Sequence, residues 1–346
     1  MRVGLVYSDD FLLHEAPEGH PENPGRLRAI MDHLRATGLS QRLHLLSFGA
    51  ASAEHVALVH DPSYIEWVRS RSDAGGGILD AGDTCANAHS FRVALLAAGG
   101  VIAAVEAVAN DRVDQVLCLV RPPGHHAERD RAMGFCIFNN VAIGARYALD
   151  HLGIERVLIV DFDVHHGNGT QNAFWSDPRV FYVSLHQFPH YPGTGRSDEV
   201  GDGPGRGFTR NFPMPPGAPE EAWLRVFQRD LPAIADDFRP QILMLSAGFD
   251  AHRRDPLAHQ SLTTSGYRTI ARALLDLASR HCGARIVLVL EGGYDRSALS
   301  EGIEAFARVF LESDRGDGYP DGGAAPPPAT DERPTRPDAG RRIPER

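Results

Sequence analysis

The chain has 346 residues, 42% of them hydrophobic and 23% charged, so it is long enough for one large α/β domain with a sizeable core. The net charge of -10 argues against a standing surface for nucleic acid or anionic membrane, because those partners select for basic patches. We find no signal peptide, no stretch near the ~18 apolar residues of a membrane span, and no C-x-x-C pair among four cysteines, so we expect a cytoplasmic protein without disulfides.

The first third of the chain predicts one strand followed by helices. The strand covers residues 2–7, and helical patterns cover 24–37, 53–60, 62–71 and 88–109. His14 and His20 lie in a proline-rich loop, where hydrogen bonding is a more ordinary role than metal binding. The segment DAGGGILDAGD predicts a flexible rim loop, since it lacks the helix entry that a phosphate-binding loop requires.

The remainder alternates short apolar runs with helical patterns. We predict a helix over 142–150 and strands over 113–120, 156–160, 180–185, 242–246 and 286–290. The strands are apolar on both faces, which is typical of a parallel sheet covered by helices on both sides.

Polar residues follow several of these strands directly. In VLIVDFDVHHGN the buried run ends in Asp161, Asp163 and His165, and alternation along an extended chain puts these three on one side. A carboxylate and an imidazole two residues apart can bind a divalent cation, whereas the simpler reading is a strand that ends in polar loop residues. Three further strands end in RPPGHH, SAGFD and EGGY, and the carboxyl edge of a parallel sheet is where ligands bind.

Five motifs in this order carry a family resemblance: RPPGHHAERDRAMGFCIFNN, VDFDVHHGNGTQ, HYPGTG, SAGFDAHRRDPL and LEGGY. With these motifs the chain resembles the histone deacetylase superfamily, and most of all its class II branch and bacterial histone deacetylase-like amidohydrolases. The resemblance covers residues 1–313, which we predict to be one deacetylase domain. It implies the three-layer arginase-deacetylase α/β fold, with a central mostly parallel sheet and helices on both faces.

The resemblance also implies a catalytic zinc ion. Its ligands would be Asp163, His165 and Asp250, with one position left open for water and substrate. Zinc would polarise the acetamide carbonyl and activate the water.

A histidine dyad and a phenol would complete the catalytic site. By resemblance His126 is the general base and later the acid, and His125 acts mainly through its charge. Asp161 would pair with His125 and Asn168 with His126, the asparagine being the class II pattern. Tyr294 would donate its hydroxyl to the oxyanion.

The family's substrate tunnel maps onto a further set of residues. Phe135 and Tyr191 match its aromatic walls, although both could instead be core aromatics. Arg26 matches the arginine of an inner cavity through which acetate is thought to leave. The remaining tunnel positions are Leu257, Gly134, Gly292 and Gly293.

Two structural potassium sites are also implied. The first would use Asp161, Asp163, His165, Ser184 and Leu185. The second would use Phe174, Asp177, Val180 and Phe208. Both depend largely on backbone oxygens.

Three functions are compatible with these residues. The first is zinc-dependent hydrolysis of N-acetyl-lysine in proteins or peptides, and the second is the same reaction on small acetylated amines such as polyamines. The third is a non-catalytic acetyl-lysine binding protein, against which Tyr294 argues. Polyamine-specific relatives carry an acid where this chain has Leu257, but Asp80, Asp83 or Glu128 could supply one. Assembly into a homo-oligomer is compatible with the sequence. The proline-rich segment 314–346 is predicted to be disordered.

Overall fold

Ten strands lie in the part of the chain that the computed structural model describes, residues 2–82 and 84–312. They are Val3–Val6 (β1), His44–Leu45 (β2), Gly76–Ile78 (β3), Cys85–Asn87 (β4), Gln115–Cys118 (β5), Val157–Asp161 (β6), Val180–Gln187 (β7), Thr209–Met214 (β8), Ile242–Ala247 (β9) and Ile286–Leu290 (β10). The prediction for 314–346 and the candidate acid Asp83 lie outside the described residues.

Ten α-helices connect these strands. They are Gly25–Ala36 (α1), Ala53–Val56 (α2), Pro62–Asp73 (α3), Ser90–Ala109 (α4), Asn140–His151 (α5), Asn168–Ala173 (α6), Glu220–Arg225 (α7), Leu231–Phe238 (α8), Thr264–His281 (α9) and Arg296–Glu312 (α10). A π-helical turn, Val226–Asp230, joins α7 to α8, and short 3-10 helices cover Asp9–Leu13, Ser40–Arg42 and Gly203–Gly205.

Eight strands form the central sheet, in the order β2-β1-β5-β10-β9-β6-β7-β8. Each neighbouring pair is parallel, which confirms the predicted sheet. Every residue of β5, β6, β9 and β10 is buried, so helices cover these strands on both faces. The apolar runs of the sequence are therefore the middle of the sheet.

The glycine-rich segment is not the loop that its composition predicts. Gly76–Ile78 pairs antiparallel with Cys85–Asn87, so the expectation of a flexible rim loop is wrong. The turn between the strands is closed by Asp80, whose carboxylate accepts hydrogen bonds from the amides of Gly82 and Thr84 and from the Thr84 hydroxyl. The pairing stabilises a conformation that glycine propensity alone does not reveal.

Helix α4 corrects a second expectation. By length and composition alone its 20 residues could cross a membrane, contrary to our finding of no such stretch in the sequence. Within the structure 67% of its most apolar window is buried, as in the core helix of a folded domain. The alanines and glycines of α4 pack closely against α5 and the sheet.

A buried ion cluster lies below the carboxyl edge of the sheet. Both oxygens of Glu22 accept hydrogen bonds from Arg121, and Oε1 also accepts one from Arg26 at 3.1 Å. All three side chains are at most 1% exposed. Burial alone would raise the pKa of Glu22, but the two guanidinium groups lower it to about 2. Because this carboxylate stays charged, both arginines have a partner inside the protein.

Candidate active site

Four neighbouring strands bring the candidate residues to one place. β5, β10, β9 and β6 are consecutive across the sheet and parallel, so their carboxyl ends share one edge. The loops after these strands carry, in that order, His125 with His126, Tyr294, Asp250, and Asp163 with His165.

The three predicted metal ligands form a buried group. The ligand atoms of Asp163, His165 and Asp250 all lie within 4.8 Å of one another. His165 Nδ1 is 3.0 Å from Asp163 Oδ1 and 3.2 Å from Asp250 Oδ2. Even so, Asp250 Oδ2 accepts no well-aligned hydrogen bond from the described residues. A buried carboxylate oxygen without a donor is costly, and a cation would satisfy it. Two carboxylates and one imidazole are a donor set that suits zinc and leaves a coordination position open.

The charges in this group also favour a cation. Burial and the negative charge of Asp163 raise the pKa of Asp250 to about 7. Burial opposes protonation of His165, yet the two carboxylates raise its pKa to about 10. The group thus draws in protons to balance its carboxylates, and a divalent ion would supply that positive charge instead.

The two histidines after β5 each have the partner that the resemblance implies. The rings of His125 and His126 lie 4.0 Å apart between centroids. His125 Nδ1 is 3.0 Å from Asp161 Oδ2, and His126 Nδ1 is 2.8 Å from Asn168 Oδ1. Tyr182 donates its hydroxyl to the same Asp161 oxygen at 3.0 Å. Both rings are therefore fixed in orientation from behind.

The charges around the two rings give them different protonation states. Burial would lower the pKa of His125, but the carboxylates of Asp161, Asp163 and Glu291 raise it to about 10. Burial and the positive charges of His125 and His165 lower the pKa of His126 well below its ordinary value. At neutral pH His126 is therefore the ring that is able to accept a proton.

A cavity of about 240 Å³ lies above these groups. It is lined by Pro123, His125, His126, Gly134, Phe135, His165, Tyr191, Leu257, Gly292 and Tyr294. Phe135 and Tyr191 are thus cavity walls and not core aromatics, and Tyr191 is 44% exposed at the rim. Gly293 is the one proposed tunnel position that is not part of this lining.

Arg26 lies behind the wall of this cavity, and the inner cavity that the resemblance implies for it stays a prediction. Its guanidinium group donates to the carbonyl oxygens of Gly293, at 2.8 Å, and Glu291, and its carbon atom is 5.1 Å from the centre of the Tyr294 ring. Through Glu22 it belongs to the buried ion cluster. Arg26 therefore holds the loop that carries Tyr294 and contacts the face of the phenol ring.

The proposed potassium ligands are placed differently in the two groups. In the first, Asp161 and Ser184 are direct neighbours across β6 and β7. In the second, the carbonyl oxygens of Phe174 and Phe208 already accept backbone hydrogen bonds, from Asp177 and Tyr182. Arg146 and Arg179 form salt bridges with the carboxylate of Asp177, which is itself a member of the second group. Both potassium sites stay predictions.

Sequence reasoning missed two buried acids beside the cavity. Glu291 accepts hydrogen bonds from the amides of Gly124, at 2.7 Å, and His125, at 3.2 Å, so it holds the histidine loop. Asp255 accepts from the amides of Leu257 and Tyr294, at 3.0 and 2.6 Å, and connects two walls of the cavity. Both acids lie inside motifs that we recognised, EGGY preceded by leucine and AHRRDPL, but their partners are backbone groups that no pattern marks.

The comparisons with known proteins agree with this geometry. Residues 20–310 match the family model described as the histone deacetylase domain. A probable deacetylase of Archaeoglobus fulgidus is 43% identical, over 85% of this chain and 82% of that protein. A histone deacetylase-like amidohydrolase of Pseudomonas aeruginosa is 41% identical, over 82% and 74%. The crystal structure of the HDA15 HD domain superposes with a TM-score of 0.85 at 37% identity and covers 90% of this chain and 88% of that one.

These matches show that the chain belongs to the histone deacetylase family. Its sheet and helices form the arginase-deacetylase fold that the motifs imply. The family and the named relatives make it a hydrolase of the deacetylase or amidohydrolase type.

The cavity wall at Gly134 leaves no room for a side chain. Its φ is +57°, and a Cβ atom would lie 2.3 Å from Cδ2 of His126. We expect Gly134→Ala to displace the His126 ring and to lower kcat about ten-fold or more, since small misplacements of a catalytic group are costly. Steady-state kinetics with metal content measured in parallel would check this.

Gly153→Ala is the matched control for that variant. Gly153 has a similar φ of +68°, but nothing lies within 4 Å of the added Cβ. It reproduces the backbone strain without the contact. If both variants lost the same activity, strain and not the His126 contact would be the cause.

Proposed function

We propose that this protein is a zinc-dependent deacetylase that hydrolyses the acetamide of N-acetyl-lysine side chains in proteins or peptides. The observation that carries the proposal is the buried Asp163, His165 and Asp250 group at the base of a cavity with apolar walls, beside one protonated and one neutral histidine. A bound zinc ion would polarise the acetamide carbonyl and activate the attacking water.

The chain's own groups would perform the proton transfers. His126, neutral and fixed by Asn168, takes a proton from the attacking water at Nε2. The same ring then gives this proton to the departing amine nitrogen when the C–N bond breaks. The products are acetic acid and the amine, which become acetate and an ammonium group when the acid's proton moves to the amine. His125 stays protonated beside Asp161 and stabilises the negative charge that develops next to it.

Tyr294 is the proposed hydrogen-bond donor to the oxyanion. It lines the cavity, and burial raises the pKa of its hydroxyl well above the ordinary value, so the group remains protonated and able to donate. The presence of this phenol is the reason to prefer an enzyme over a non-catalytic acetyl-lysine binding protein. The four cysteines are buried and form no disulfide, which supports our proposal of a reducing compartment such as the cytoplasm.

The surroundings of the cavity favour a lysine side chain over a polyamine. Leu257 supplies an apolar wall where a second ammonium group would need a carboxylate. The Glu128 carboxylate is occupied by the amides of Asn168 and Asn172, and Asp80 binds Thr84. Both acids therefore already have hydrogen-bond donors within the protein, which makes either a weaker partner for an amine at the rim. Relatives named as histone deacetylases support the same choice.

Removal of one hydroxyl tests the catalytic part of the proposal. We expect Tyr294→Phe to fold, to bind one zinc ion per chain, and to lose kcat by about 100-fold or more, the scale for one oxyanion donor. Tyr147→Phe is the control, because it removes a partly buried hydroxyl that donates to Glu106 and does not line the cavity. Turnover of an acetyl-lysine peptide and zinc content measure both variants; an unchanged kcat in Tyr294→Phe would remove this residue from the mechanism.

A change at the rim tests the substrate class. Wild-type protein should show a higher kcat/KM for acetyl-lysine peptides than for acetylpolyamines. Leu257→Glu should move that ratio toward the polyamines, because the new carboxylate can pair with a distant ammonium. Leu257→Gln, similar in size but neutral, should leave the ratio near the wild-type value. Ten-fold better turnover of acetylspermidine than of any peptide by the wild type would replace our proposal with the polyamine alternative.

A further inference from the structure

The buried carboxylate of Glu128 is connected to the proposed general base, His126, through one intervening side chain. Glu128 is 8% exposed and does not contact the His126 ring in any hydrogen bond. Its Oε1 atom accepts a hydrogen bond from Asn168 Nδ2 at 2.5 Å. The other atom of the same amide, Asn168 Oδ1, is 2.8 Å from His126 Nδ1. His126, Asn168 and Glu128 thus form one chain of hydrogen bonds.

The direction of these hydrogen bonds follows from which atoms of the three side chains can donate and which can accept. A carboxylate can only accept, whereas an amide offers a donor at one end and an acceptor at the other. Glu128 therefore requires the NH₂ end of Asn168, and the oxygen end is left for the histidine. An oxygen facing His126 Nδ1 in turn requires the proton on that nitrogen. The lone pair of Nε2 is then directed to the cavity, where a base needs it.

Asparagine could not impose this order by itself. Its two ends are nearly equal in size, so an isolated side chain can turn over and present NH₂ to the histidine. That orientation would place the ring proton on Nε2 and block the base. The preference must come from the acceptors around the NH₂ group. Glu128 Oε1 is the shortest and the only charged one, at 2.5 Å, whereas the backbone carbonyl of His126 and Met133 Sδ both lie at 3.3 Å and are weaker acceptors.

Glu128 is itself held firmly. Asn172 donates to both of its carboxylate oxygens, at 2.9 and 3.0 Å. Its backbone carbonyl accepts from the buried His60 ring at 2.8 Å, and the other nitrogen of that ring accepts from the amide of Asn139 at 2.9 Å. Arg131 lies 3.9 Å away and is mostly exposed, so it adds little. The backbone and the carboxylate of Glu128 are thus both hydrogen-bonded in the position that faces the Asn168 amide.

We propose that Glu128 is a positioning residue which, through the Asn168 amide, selects the Nδ1–H tautomer of His126. The catalytic use of that tautomer rests on the proposed function. The tautomer itself is a property of the protein without substrate. It assigns a role to the glutamate of GHHAE, which neither touches substrate nor binds metal. Glu128 and Asn168 then act as one unit, so that a change in one is tolerated only with a matching change in the other.

The tautomer can be measured without turnover. Protein labelled with ¹⁵N-histidine and loaded with zinc is examined by two-bond ¹H–¹⁵N spectra, and the His126 signals are assigned from their loss in His126→Phe. We expect Nδ1–H in the wild type and in Arg131→Ala, which removes a charge beside Glu128 without touching the amide. Glu128→Gln should show a mixture of tautomers, since either end of the new amide can face Asn168. A wild-type ring protonated at Nε2, or a pure Nδ1–H ring in Glu128→Gln, would overturn the proposal.

A double-mutant cycle gives a second, independent readout. We expect Glu128→Gln to lower kcat/KM about ten-fold, the usual scale for a partner behind a catalytic group. Asn168→Asp should lower it about 100-fold, because two carboxylates would then face each other in a buried place. The double variant should return to within about ten-fold of wild type, since the glutamine NH₂ can donate to the new carboxylate. Zinc content and thermal unfolding confirm that each variant is folded and loaded.

The outcomes of the cycle separate the two proposals. If the losses simply multiply to roughly 1000-fold in the double variant, Glu128 and Asn168 do not act as a unit and the positioning role is wrong. If the wild type hydrolyses no acetamide although His126 carries its proton on Nδ1, the proposed function fails while this inference stands.

Discussion

Two carboxylates buried against one imidazole are the constraint on which the rest of this site depends. Asp163 and Asp250 cannot both stay ionised in the protein interior unless a positive charge lies between them. Backbone amides already stabilise the outer oxygens, from Gly292 to Asp163 Oδ2 and from Val164 to Asp250 Oδ1, both at 2.8 Å. Asp250 Oδ2 is what remains for a cation. A Cβ atom at Gly292 would lie 2.2 Å from it, so that position accepts only glycine.

The same negative charge gives the two histidines, His125 and His126, different protonation states. His125 lies against Asp161, and the carboxylates around it raise its pKa so that the ring is protonated. Its positive charge then keeps His126 neutral. One buried cluster of acids thus prepares both a cation site and a base. The buried ion cluster follows the same principle, because Glu22 pairs with both Arg121 and Arg26, and Arg26 also contacts the Tyr294 ring. Pairing between buried charged groups thus links the residues at the carboxyl edge of the sheet to the residues that line the cavity.

Much of this arrangement could be predicted from the sequence, for a physical reason. Parallel strands deliver whatever follows them to one edge, so Asp163, His165 and Asp250 could be brought together before any coordinate was known. Gly76–Ile78 was mistaken for a loop because its strand depends on a partner, Cys85–Asn87, and not on local propensity. Asp255 and Glu291 escaped notice, and Glu128 was given a different candidate role, because each binds a backbone amide or a side chain that only the folded loops bring near. Motifs mark the reacting groups more clearly than the groups that hold them.

The central claim is that one metal ion binds to the Asp163, His165 and Asp250 group. Anomalous X-ray diffraction from crystals of the zinc-loaded protein, collected on both sides of the zinc absorption edge, tests this most directly. We predict one strong peak per chain, at about 2.0–2.2 Å from a carboxylate oxygen of each aspartate and from a ring nitrogen of His165. A peak instead between His125, Cys136 and Glu291, a second buried group whose ligand atoms lie within 4.8 Å of one another, would contradict the account.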